Sequence, residues 1–151
     1  MRLEIYDANK LNFVELNTTG DNDNYIRCDE ASRYVDTEVF NIYAHCFEEA
    51  NKLYEYYEPT KYNSRKIVPL RNALLENLDN LNTIDSKELF VEFIGNIFLG
   101  KEFILSLEKI DKTWDENWET YIVKLRDINR EIIKVTEDCI ENEKILWVVG
   151  Y

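Results

Sequence analysis

Two pairs of carboxylates stand at spacings that could hold a metal: Glu55-x-x-Glu58 and, after 17 intervening residues, Glu76-x-x-Asp79. Side chains three apart share one face of a helix, and two such faces opposed would grip magnesium against a pyrophosphate. The composition leaves little other room for metal or nucleophile chemistry. His45 is the only histidine, whereas a catalytic zinc site usually draws on two or more histidines or thiolates, and a di-iron bundle on two E-x-x-H pairs. His45 stands beside Cys46 and near Glu49, but no oxyanion signature accompanies them. G-x-S-x-G, Walker and dinucleotide loops are absent, and the four glycines are all isolated.

The order and spacing of the two acidic pairs resembles the all-α nucleoside-triphosphate pyrophosphohydrolase family. The resemblance implies a magnesium-dependent enzyme in which Glu55, Glu58, Glu76 and Asp79 are the metal ligands. The chain departs from that pattern where Pro59 stops the helix directly after Glu58, and where Tyr54 replaces a further glutamate beside the first pair.

A different chemistry, that of binding, is concentrated in LYEYYEPTKYNSRK, residues 53 to 66. Tyrosine beside charges of both signs suits a protein interface, since its rigid ring buries a large area at low entropic cost. Helical periodicity assigns Tyr54 and Tyr57 to the core and leaves Glu55, Tyr56, Glu58, Tyr62 and Arg65 for a partner. A second candidate lies at Trp114 and Trp118, four residues apart and surrounded by Asp115, Glu116 and Glu119. An acidic rim about an aromatic anchor suits a basic ligand.

Charge points the same way. The net charge is −12, from 30 acidic and 18 basic residues, and residues 1 to 60 hold 13 acids against 5 bases. Residues 61 to 72 invert this, with Lys61, Arg65, Lys66 and Arg71 and no acid. Such a surface repels phosphate backbones and anionic lipid, so direct nucleic-acid and membrane binding are disfavoured, while encounter with a basic protein is accelerated. The expected function is a small non-catalytic binding protein without cofactor, of the immunity or antitoxin kind or a phage-type inhibitor, that occludes a basic toxin or nuclease. The enzyme described above is the alternative, and a regulatory or structural subunit is a third reading. Sixteen asparagines with abundant Ile and Lys fit an AT-rich bacterial or phage genome.

These groups need a scaffold, and at 151 residues, 45% of them apolar, one domain with one core is expected. Three widely spaced cysteines, Cys28, Cys46 and Cys139, read as reduced core residues in a cytosol, and the acid at position 4 is unlike a secretory signal. The alternating segments 2–6 and 11–16 around DANK predict a hairpin, and ILWVVGY at the C-terminus predicts a strand that pairs with it. Counted from Asp21 in the polar loop NTTGDNDN, a calcium-binding loop would need glycine where Ile26 stands and a final glutamate where Ser32 stands, so that reading is rejected.

Periodicity predicts four helices between the strands. The first runs from Asp29 or Asp36 to Pro59, and the second carries Ile67, Leu70, Leu74, Leu78 and Leu81. The third, capped by Asp85 with Glu88 and stapled by Ile84 to Leu89, spans the apolar stretch 89–107 as a central buried helix. Gly95 and Gly100 in it signal close packing or a break. The fourth, capped by Thr113 with Glu116, continues through Cys139 with near-heptad spacing and packs antiparallel to a neighbour. The expected fold is therefore mainly α, of the α+β class, with about four bundled helices and a small antiparallel sheet.

Overall fold

The computed structural model describes residues 1–7 and 12–150. Four antiparallel strands and six helices make up the described residues, a mixed α+β architecture. The strands are β1 (Phe13–Asn17), β2 (Arg33–Asp36), β3 (Thr60–Tyr62) and β4 (Leu146–Gly150), in sheet order β2-β1-β4-β3. The C-terminal strand pairs with β1 as expected, Leu16 opposite Val148. The expected hairpin partner of β1 is replaced: β2 takes that place, with Val14 opposite Val35, and Tyr6 bridges the far side of β2 at Tyr34. Most of the expected DANK turn, and Leu11, lie outside the described residues.

Alternation gives the sheet two different faces. Val14, Leu16, Val35, Tyr62, Leu146 and Val148 point into the main core beneath the helices. Phe13 and Tyr34 point the other way, into a small cluster closed by Tyr6. Glu15 lies on that second face, fully buried, and its Oε1 accepts from Ser32 Oγ (2.7 Å), Cys28 N (2.9 Å) and Asn17 Nδ2 (3.0 Å). One carboxylate thus folds the polar loop of residues 18–32 back over the sheet, at no cost in unsatisfied donors.

The helices are α1 (Thr37–Phe40), α2 (Ala44–Ala50), α3 (Ile67–Asn82), α4 (Lys87–Gly95), α5 (Gly100–Ile110) and α6 (Trp118–Glu141). They correspond to the four expected segments with two of these divided. The first expected helix is β2, α1, α2 and a turn; its stripe Val35, Val39, Ile42, Tyr43, Phe47 and Ala50 is nevertheless buried. The division has a local cause at its C-terminal end, where the Asn51 amide oxygen accepts from Leu53 N (3.1 Å) and draws the chain out of the helix.

The third expected helix breaks at residues 96–99. Leu99 adopts φ 62°, and a Cβ at Gly100 would collide with the Ile94 carbonyl. Gly100 therefore marks both the break and a close approach, whereas a Cβ at Gly95 would meet only open space. Instead of a fully buried central helix, α4 leaves Val91 exposed, α5 leaves Leu105 exposed, and the break between them leaves Phe98 82% exposed. Ser86 rather than Asp85 caps α4, accepting from Leu89 N (3.2 Å), and Leu89 itself is partly exposed. Among the described residues no helix is long and apolar enough to cross a membrane.

The long α6 runs antiparallel to α3. Asn129 Nδ2 donates to Leu74 O (2.9 Å) and its Oδ1 accepts from Asn77 (2.8 Å), while Arg126 reaches Leu81 O (2.9 Å) and Ile84 O (2.9 Å). That guanidinium adds a side-chain donor to the Leu81 carbonyl in the last turn of α3, which the Ile84 N–H also reaches, and engages the Ile84 carbonyl just beyond the helix. Its own buried stripe includes Ile122, Leu125, Ile128, Ile132 and Cys139, the residues periodicity selects.

Candidate functional site

Between α2 and β3 the chain makes a turn, residues 51–59, that is held at four points by uncharged groups. Asn51 Nδ2 donates to Lys61 O (3.3 Å), and its oxygen holds Leu53 N. Glu55 N donates to Thr60 Oγ1 (3.2 Å). The Tyr56 hydroxyl donates to the buried Asn41 side chain. Beneath, the backbone of β4 passes so near the Tyr56 carbonyl that a Cβ at Gly150 would clash with it.

What this rigid turn displays differs from the periodic expectation. Tyr57, placed in the core by helical spacing, and Leu53 are each 80% exposed, and Tyr57 stands edge-on to Tyr56 at 5.0 Å. Tyr54 is half-buried against Phe47. Conversely Tyr62, expected at the partner surface, is fully buried: it points from β3 into the core, where its hydroxyl donates to Phe47 O (2.8 Å). Burial pushes its pKa far above the ordinary phenol value. Glu55 and Glu58 are exposed on the turn, as are Glu48 and Glu49 just before it, with Lys52 the one base among them. Arg65 is exposed beyond β3.

The tryptophan region is arranged differently. Trp114 and Trp118 are half-buried on Phe90, with ring centroids at 6.3 and 6.4 Å. Asp115 lies 3.8 Å from Lys87, and Glu116 and Glu119 are exposed. Thr113 does not cap α6, which begins at Trp118; it belongs to a turn organised by Asp111. That carboxylate accepts from Thr113 Oγ1 (2.7 Å), Thr113 N (2.8 Å), Tyr121 OH (2.7 Å) and Asn117 Nδ2 (3.1 Å). These donors, the Tyr121 hydroxyl foremost, hold its pKa well below the usual carboxylate range.

The carboxylate pairs do not build the expected magnesium site. Glu55 and Glu58 lie in the turn rather than on a helix, so they share no helical face to oppose Glu76 and Asp79 of α3. Among the described residues no three His, Cys, Asp or Glu side chains converge to hold a metal ion. His45 and Cys46 do meet, Nε2 to Sγ at 3.5 Å. The thiol is wholly buried, however, and burial pushes its pKa far above the ordinary value, which leaves it protonated and unreactive. All three cysteines are free.

Comparison with family models, curated proteins and solved structures gives no match to this chain.

Proposed function

We propose that this is a non-catalytic binding protein, an immunity- or antitoxin-like or phage-type inhibitor, that occludes a basic protein partner with the turn at residues 51–59. The observation that carries the reading is the exposure of Leu53 and Tyr57 on a backbone pinned by Asn51, Thr60, Asn41 and Gly150. An interface gains most from apolar and aromatic anchors that lose little freedom on binding, and a pinned turn has lost that freedom already. Glu48 and Glu49 just before the turn and Glu55 and Glu58 on it are exposed and make no ion pair among the described residues. They supply the field that steers a cationic surface onto them.

The test is capture of the partner with the tagged full chain, followed by association kinetics on the purified pair. Replacing Glu48, Glu49, Glu55 and Glu58 by lysine is expected to slow association by roughly tenfold or more at low salt, since steering raises on-rates by 10 to 1,000. The wild-type rate should itself fall steeply between about 0.05 M and about 0.5 M salt. A partner whose association ignores both salt and charge reversal would mark the chain as a structural or regulatory subunit instead.

A further inference from the structure

Beside the turn a groove of about 480 Å³ opens toward the start of α3. Leu53 and Pro59 line it from the turn, Trp147 from β4, and Lys61, Arg65 and Lys66 from the segment that follows. Three cations and no carboxylate line this groove, on a chain whose net charge is −12. The placement follows from strand register. Lys61 of β3 faces Trp147 of β4, so their side chains share the sheet face opposite the helical core. There the Lys61 ammonium lies 5.9 Å over the indole ring and donates to Asn22 O (2.5 Å). Trp147 is fixed in turn by its N–H donating to Asp21 O (2.9 Å) and by Tyr25 at 5.0 Å.

Arg65 and Lys66 make no ion pair among the described residues, although the chain has a large surplus of carboxylates to offer them. Two unpaired cations beside an apolar floor of Leu53, Pro59 and Trp147 complement a ligand that is both apolar and anionic. We infer that this groove is a second docking surface, and that it takes a short acidic peptide segment of a protein, seated by an apolar side chain on Trp147 and Leu53 with its carboxylates against Arg65 and Lys66. A longer polyanion is disfavoured by the chain's own field: Glu55 and Glu58 stand on the same turn as Leu53, and Asp21 lies beside Trp147. A segment with two or three carboxylates fits within the cationic stretch. The two surfaces share Leu53 but call for partners of opposite charge, so variants of Arg65 and Lys66 separate this inference from the basic-partner reading, which rests on Glu55 and Glu58.

The probe is a labelled octapeptide with two leucines and three glutamates, titrated into the full-length protein and followed by anisotropy and by the indole N–H resonances of its tryptophans. Saturable binding is expected, with the Trp147 resonance shifting and those of Trp114 and Trp118 still. The double variant R65E/K66E should weaken it by roughly tenfold or more through loss and reversal of the complementary charge, and E55Q/E58Q should leave it intact. Should R65E/K66E fail to fold, the single variants R65Q and K66Q carry the same test. Any of these results would overturn the inference: equal binding of the glutamine counterpart, undiminished binding by the charge variants, or tighter binding of a single-stranded oligonucleotide than of the acidic peptide. Absence of any binding would do so as well.

Discussion

The turn at residues 51–59 and the turn at residues 111–117 are made from the same materials, aromatic rings set among carboxylates, but they dispose of them in opposite directions. In the second, Trp114 packs inward on Phe90, Asp111 is consumed by four hydrogen bonds, and Asp115 faces Lys87. In the first, neutral amides and hydroxyls do the pinning, which leaves Leu53, Tyr57, Glu55 and Glu58 turned to solvent. An acidic aromatic stretch is therefore available to a partner only where uncharged groups hold its backbone. Where a carboxylate is itself the hub, the composition serves the fold.

The comparison is broken most severely by removing what the tryptophans rest on. Phe90 is fully buried under both rings, so Phe90→Ala should cost about 3–5 kcal/mol of stability by denaturant unfolding. Tyr57→Ala, at an exposed ring, should stay within about 0.5 kcal/mol. Similar losses for the two would mean that Tyr57 is committed to the fold, and the proposed interface would lose its principal anchor.

This inversion also marks where the sequence stops being informative. The α6 stripe from Ile122 to Cys139 and the pairing of the C-terminal strand with β1 follow directly from period and β-propensity. Tyr57 and Tyr62 exchange roles because the helical period does not survive past Ala50. Once Asn51 ends α2, Tyr57 is carried outward by the turn, and the parity of a three-residue strand sends Tyr62 inward. Neither a three-residue strand nor an amide that competes with the backbone leaves a periodic signal. Likewise Val35 fits a helical stripe and a strand equally well, and only its partner Val14 decides between them. Paired carboxylates at i, i+3 are informative only if a helix carries them, which Glu55 and Glu58 lack.

The display of the first turn is next to be tested. Leu53→Ala and Tyr57→Ala should each weaken binding to a captured partner by about 2 kcal/mol or more, the magnitude of an interface anchor, while Trp114→Ala should change it by less than about 1 kcal/mol. Calorimetric titration separates these, and the reverse order would move the interface to the tryptophan turn. Gly150→Ala probes the pinning from below. Its new methyl group meets the Tyr56 carbonyl, and relieving that overlap should cost about 1–3 kcal/mol of stability. Binding should weaken with it, because the turn it displaces is the one that presents the anchors.

The smallest expected effect sharpens the claim that Asp111 belongs to the fold rather than to a ligand. Its pKa is depressed in the folded state by Tyr121, Thr113 and Asn117, so the carboxylate binds protons more readily in the unfolded chain. Its contribution is then fully present above the unfolded value of about 3.9, and is lost as pH falls from there toward the lower folded value. Asp111→Asn should accordingly lower the melting temperature at neutral pH, and the gap from wild type should narrow as the solution is acidified below about pH 4. If instead Asp111→Asn melts with the wild type at every pH while abolishing partner binding, the hub of the tryptophan turn is part of the interface, and the contrast between the two turns disappears.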